Sequence, residues 1–310
     1  MTIKNIARHD VSEQRIEEAL DDIRRRAFTR WHTMQYDCYS DEELQAMRDE
    51  LLDHVAARTV ADPAPGTAPS HIILRTAAQC ALGIADLGCY PQGDQEISFA
   101  LLDRQLSSEN IDFGAAVKQV ATARTWLDAF TLAVTSGMIQ ERDLAIGLLL
   151  RGDIAPDIRR GVPHSKLESK SDPGELAEMD ALCGYLSRAE GHLPRHWPSV
   201  TLCRPTADER ADAQRQLDVL DMLTPDQHLL RVLLDDDQPA FEHALERRLV
   251  HHRKNTPDDA PPRSLLPLKT IALAALAVQV HGWGLRVRSA YLPQTMLSAP
   301  EGAFDPWLNQ

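Results

Sequence analysis

The stretch VSEQRIEEALDDIRRRAFTRWHTM (11–34) places Ile16, Leu20, Ile23, Ala27 and Trp31 at spacings of four, three, four and four. Side chains so spaced share one stripe of a helix. Glu13, Glu17, Asp21, Arg24 and Arg25 occupy the other face, so the stretch predicts one amphipathic helix. The same period governs nearly the whole chain. Ser40 followed by Glu43 has the form of a capping box, ahead of an apolar face of Leu44, Met47, Leu51 and Val55. The alanine-rich segment 72–87 is apolar on most sides and predicts a central helix. A short helix is expected over 95–106. A long one is expected over 113–135, with Val117, Val120, Trp126, Leu127, Phe130 and Val134 inward, and another over 141–150.

Breaks punctuate this pattern. ADPAPGTAPS (61–70) has three prolines and a glycine and predicts an exposed loop. RGDIAPDIRRGVPHSKLESKSDPGE (151–175) is polar and aperiodic, so a long surface loop is expected there. Helical periodicity resumes over 176–189 and stops again at GHLPRHWPSVTLCRP (191–205). Thr206 and Glu209 repeat the capping box before 207–223. Thr224-Pro225 supplies an N-cap and first-turn proline for a helix reaching about residue 234, and Pro239 opens the next, over 240–253. After the loop NTPDDAPPRS (255–264) comes a buried helix over 265–280. Alternating strands and Asn-Gly or Asp-Gly turns are missing, and only VRSAYL after Gly284 is compatible with an extended segment. The expected fold is all-α, with about a dozen helices in an irregular helical bundle or an α-α superhelical array.

Composition narrows the function. With 43% hydrophobic residues in 310, the chain can bury a large core and is not disordered. It carries 46 acids against 33 Lys and Arg, a net charge of -13. Such a balance argues against nucleic acid and anionic membranes as partners and favours a basic partner. Residues 1–66 hold 14 acids and 9 bases, and residues 205–260 hold 13 and 7, so these two flanks carry -5 and -6 of the total. The start MTIKNIARHDVSEQ has no apolar core of a secretory signal. The five dispersed cysteines form no CxxC, which fits a reducing cytoplasm, and Cys80 and Cys183 read as small core residues. The longest apolar run, IALAALAVQV (271–280), is shorter than the about 20 residues a membrane span needs.

Chemical motifs fail one by one. A diphosphate-metal site of terpene-synthase type needs carboxylates one helical turn apart, but Pro239 and Ala240 stand three residues after Asp236 and Asp237. Asp21-Asp22 meets Arg24-Arg25 at the same spacing. Glu242 and Glu246 share a helix face at i,i+4, but His243 is not on it, the adjacent His251 and His252 point in different directions, and no HExxH occurs. GxSxG and glycine-rich phosphate loops are absent, and Gly282-Trp283-Gly284 follows a helix, as a C-cap turn does. No catalytic, cofactor-binding or metal-ligating residue is assigned, and no cofactor is expected. Asp235, Asp236 and Asp237 either cap the next helix or form an acidic contact surface together with Glu242.

The C-terminal segment RSLLPLKTIALAALAVQVHGWGLRVRSAYLPQTMLS (263–298) is the most distinctive. Its order is a Leu-Pro entry at Pro267, an Ala/Leu helix, Gly282-Trp283, then Tyr291-Leu292-Pro293. This resembles the immunity protein 49 family of bacterial polymorphic toxin systems, over about residues 60 to 298. The resemblance implies an all-α domain over 61–298, preceded by an N-terminal helical hairpin (1–60) and followed by a tail (299–310). It implies binding and neutralisation of a cognate toxin, without catalysis. The signature residues Pro267, Gly282, Trp283, Tyr291 and Pro293 read as core, so toxin contacts are expected on the acidic flanks, at Asp235, Asp236, Asp237 and Glu242. Two other classes stay open: an all-α scaffold for an unrelated protein or peptide, and an all-α enzyme of terpene-synthase type.

Overall fold

The computed structural model describes residues 4–61, 68–139, 144–187 and 201–298. Parts of the expected loops 61–70 and 191–205, the start of the helix expected over 141–150, and the tail 299–310 lie outside them.

The fold is all-α in character, as expected. Helices α1 (Glu13–Leu20) and α2 (Ile23–His32) lie on the long α3 (Asp41–Ala61), which packs along α4 (Ala68–Cys89). After the short α5 (Phe113–Ala116), α6 (Ala123–Thr135) covers α4 from the other side. Short α7 (Leu144–Leu148) and α8 (Ala155–Arg159) lead to α9 (Pro173–Cys183). Then α10 (Ala207–Asp218), α11 (Pro225–Leu234) and α12 (Gln238–Asn255) stack in sequence onto α13 (Leu268–Gln279), with α14 (Gln294–Leu297) against its end. Every residue of α13 from Thr270 to Ala277 is buried, and its alanines let α6 and α11 approach closely. One contiguous core runs from Ile6 to Leu297, so the helices of the first 60 residues share it with the rest.

By length and composition Pro69–Cys89 is apolar enough to cross a membrane, but 78% of that window is buried inside the fold.

Several expectations need correction. The single helix expected over 11–34 breaks at Asp21–Asp22, because Asp22 turns its carboxylate onto the Arg25 N–H and caps a new helix. Leu20 is thereby left exposed rather than inward. The helix expected over 113–135 is likewise two, because Thr122 and Thr125 cap α6 afresh. At residue 40 only half of the capping box forms: the Glu43 N–H donates to Ser40, while the Glu43 carboxylate pairs with Arg30.

The helix expected over 95–106 is a β-hairpin, β2 (Glu96–Phe99) with β3 (Arg104–Ser107), antiparallel with Ile97 opposite Leu106. Its turn contains no glycine; Asp103 takes the left-handed conformation at φ 54°. The turn N–H groups of Ala100 and Leu101 donate to Gln79 and Thr76 on α4, at 2.8 and 2.9 Å, so tertiary contacts override local periodicity. VRSAYL does contain a strand: β4 (Val287–Ser289) pairs in parallel with β1 (Lys4–Ile6). Finally, the loop expected over 151–175 is shorter. A wide π turn, Leu149–Ile154, and α8 occupy its first part, since Pro156 sits in the first turn of α8, where its missing N–H costs nothing.

Candidate functional site

Three consecutive aspartates make the corner between α11 and α12, and each has a different task. Asp235 ends α11, and its carboxylate accepts from Arg231 at 2.6 Å and from Gln214 at 2.9 Å. Asp236 reverses the chain at φ 62°, a conformation aspartate tolerates better than most residues. Asp237 caps α12 by accepting the Ala240 N–H at 3.3 Å, with Pro239 in the first turn.

Asp236 points inward. One carboxylate oxygen accepts from His281 Nδ1 at 2.8 Å; the other meets Arg204 and, at 3.6 Å, Arg210. The far nitrogen of His281 accepts the Tyr185 hydroxyl at 3.0 Å, an arrangement that suits the neutral ring. Burial, then the charges of Arg204 and Arg210, push the His281 pKa down to about 4. Glu242 is also turned in. It accepts the Arg286 backbone N–H at 3.2 Å and Arg286 Nε at 2.7 Å, joining α12 to the segment before β4. Burial opposes ionisation there, but Arg286 and Gln238 hold the Glu242 pKa below its ordinary value. Of the four acids expected to meet a toxin, Asp236 and Glu242 are committed within the fold. Asp235 and Asp237 are exposed on the corner.

This arrangement also bears on metal chemistry. Asp236 is paired with two arginines and hydrogen-bonded by the neutral His281, so its carboxylate is already engaged rather than facing a second carboxylate as a diphosphate-metal site requires. His251 is exposed, and His252 Nε2–H donates to the Ser264 carbonyl, 2.8 Å away. Among the described residues no three His, Cys, Asp or Glu side chains are grouped to hold a metal ion. The thiols of Cys80 and Cys183 are buried, and burial pushes their pKa values up to about 12 and about 11, far from a reactive thiolate.

What the sequence reading missed is the rest of the corner. Residues 208–237 hold nine acids against three bases, so the whole excess of the C-terminal flank lies on α10, α11 and their turns. At the turn between α10 and α11, Val219 and Met222 stand 79% and 87% exposed beside the exposed Asp218 and Asp221. Asp218 accepts from Arg231 at 2.8 Å, which holds its pKa below the ordinary range. Exposed apolar side chains beside carboxylates give a contact patch, with charge to attract and surface to bury. The helix expected over 207–223 included Val219 and Met222, whereas α10 ends at Asp218 and leaves both in an exposed turn.

The C-terminal signature residues build the frame instead. Pro267 heads α13, and its carbonyl accepts the Ile271 N–H at 3.0 Å. Gly282 takes φ 71°, which lets the Trp283 N–H return to the Ala277 carbonyl at 3.0 Å and close the helix end. Trp283 packs on Phe241 at 5.6 Å, and Pro293 starts α14. Tyr291 is fully buried between His9 and His252, with ring centroids 5.7 and 5.1 Å away. A family model described as Immunity protein 49 matches residues 65–296, three quarters of the chain and all of this frame except its N-terminal additions. No curated protein sequence and no solved structure gives a significant match.

Proposed function

The chain belongs to the immunity protein 49 family, and from that premise we propose that it neutralises one bacterial toxin in the cytoplasm by stoichiometric binding, without catalysis. The observation that carries this reading is the acidic face of α10 and α11, where exposed Asp218 and Asp221 stand beside the apolar tips Val219 and Met222 and Arg231 links Asp218 to the exposed Asp235 at the far end of α11. A field of one sign accelerates encounter with an oppositely charged partner, and toxins that act on nucleic acid are basic for the same reason. The inhibitor then works by occupancy, covering the toxin's active site or substrate path. Five free cysteines accord with a reducing compartment.

The test is to identify a gene beside this one that encodes a large secreted protein and to co-express its C-terminal domain with the chain. Rescue of growth and a 1:1 complex in light scattering are expected. Absence of rescue sinks the proposal. Protection by far less than one equivalent would show turnover and remove the non-catalytic part.

A further inference from the structure

The first residues of the chain meet the family frame at two histidines that share one serine. His9 Nε2 lies 2.8 Å from Ser264 Oγ, and His252 Nε2–H donates to the Ser264 carbonyl at 2.8 Å. The two rings stand edge to face with centroids 5.9 Å apart, and the buried Tyr291 packs against both. His252, Ser264 and Tyr291 lie within the family match, and His9 lies before it. The neutral His9 ring suits this seat: Nδ1 can accept the Tyr291 O–H while Nε2–H donates to Ser264 Oγ. A proton on Nδ1 turns that acceptor into a donor. The Tyr291 oxygen then faces two donors of His9, the backbone N–H and Nδ1–H, and its own hydrogen loses its acceptor in a buried place.

Neighbouring charge opposes the proton as well. Arg8 stands beside His9, and Arg248, His251 and Arg253 share α12 with His252. The turn Pro262–Leu265 adds Arg263, which Asp53 holds at 2.7 Å. Against these stand Asp226, already bidentate to Arg248 at 2.8 Å, and the exposed Asp10. Burial, with the cations adding to it, keeps both histidines below their ordinary pKa, and a charge on either ring opposes one on the other. The segment itself is lightly held. Between Lys4 and Asp10 only Ile6 is buried, β1 and β4 pair over three residues, and the Lys4–Glu246 pair lies at the surface. Arg8 makes the firmer tie, donating to the Thr59 hydroxyl and carbonyl at 2.6 and 2.8 Å. Segments with so few buried contacts open more readily than the core. We propose that the His9–Tyr291–His252 cluster is an acid-sensitive latch: protonation of its two histidines frees residues 4–10 and uncovers the edge of β4, while α3, α4 and α13 stay folded.

The experiment is hydrogen exchange of the full chain read by mass spectrometry, corrected for the intrinsic pH dependence of exchange, at about pH 7.5 and about pH 5.5, which bracket the ordinary histidine range. Protection over residues 4–10 and 287–289 is expected to fall about tenfold or more on acidification, while that of α3, α4 and α13 changes by less than about twofold. His9→Gln/His252→Gln keeps hydrogen-bonding groups that do not titrate, and should abolish the acid response of residues 4–10. Arg253→Gln removes one opposing cation from an exposed position and should move the release to lower pH. The latch is overturned if residues 4–10 keep their protection at the lower pH or lose it only together with α13, or if the double glutamine variant responds to acid as the unmodified chain does. Where that variant does not seat the segment even at the higher pH, Arg253→Gln decides: an unchanged or higher release pH overturns the proposal.

Discussion

The Tyr291 hydroxyl lies 2.6 Å from His9 Nδ1 and also accepts the His9 backbone N–H at 2.9 Å. His9 Nε2 reaches Ser264 Oγ at 2.8 Å. A residue of the C-terminal signature thus holds the first residues of the chain, beside the parallel pair of Lys4–Ile6 with Val287–Ser289. Tyr291→Phe keeps the ring and removes the oxygen, leaving two polar groups of His9 without that partner. We expect a loss of about 1–2 kcal/mol, read as a lower urea midpoint with unchanged slope. An unaltered midpoint would show that water replaces the hydroxyl and that the tie is dispensable.

The aspartate corner predicts an order of costs. Asp236→Asn retains tolerance of the left-handed turn but removes the charge facing Arg204, Arg210 and His281. It should cost about 2 kcal/mol, less than a fully buried pair because Arg204 is half exposed. Asp237→Ala loses a helix cap and should cost about 1 kcal/mol. Asp235→Ala breaks exposed pairs and should cost under about 0.5 kcal/mol. Urea denaturation of the three variants checks the ranking. The same order determines which charges are useful in binding studies: reversal at Asp235 or Asp221 should slow association most at low salt, whereas reversal at Asp236 mixes binding with unfolding.

How much of this was legible follows from where each partner lies. The capping box at Thr206 and Glu209 forms as expected because both groups sit within one turn. Asp237 as a cap is local for the same reason. The hairpin over 96–107 was misread as helix because its turn is satisfied by Thr76 and Gln79, about a helix-length earlier in the chain. The inward role of Asp236 depends on Arg204, Arg210 and His281, and that of Glu242 on Arg286; no spacing rule connects them.

Acidification should weaken the fold, and the histidines set the direction. Burial lowers the pKa of His9, His54 and His252, with neighbouring cations adding to it, and brings His281 to about 4. Between their folded values and the ordinary 6.5, the unfolded chain binds more protons than the folded one. Stability is therefore complete above about pH 6.5 and declines as pH falls. Asp86 acts oppositely: burial pushes it up to about 6, so the folded chain takes up its proton first and gains stability on acidification from 6 toward 3.8. Asp86→Asn removes that compensation. Its melting temperature should drop more steeply between pH 6.5 and 5 than that of the unmodified protein; a parallel decline would refute the assignment.

Gly88 and Gly282 should respond to alanine for different reasons. Gly88 lies within α4, where helix propensity alone predicts stabilisation of about 1 kcal/mol by alanine. A Cβ there would stand 2.6 Å from the Ala121 backbone nitrogen, whose N–H donates to the Gly88 carbonyl at 3.2 Å. Backbone cannot swing aside as a side chain does, so the α4 contact must open, at about 2–3 kcal/mol. Gly282 has open space around its Cβ position but φ 71°. Alanine there meets only the left-handed penalty, about 1 kcal/mol. Sterics thus reverse the sign that propensity gives at Gly88 and make it the costlier substitution. A Gly88→Ala protein that melts at or above the unmodified temperature would mean that α4 and residue 121 do not pack as closely as described.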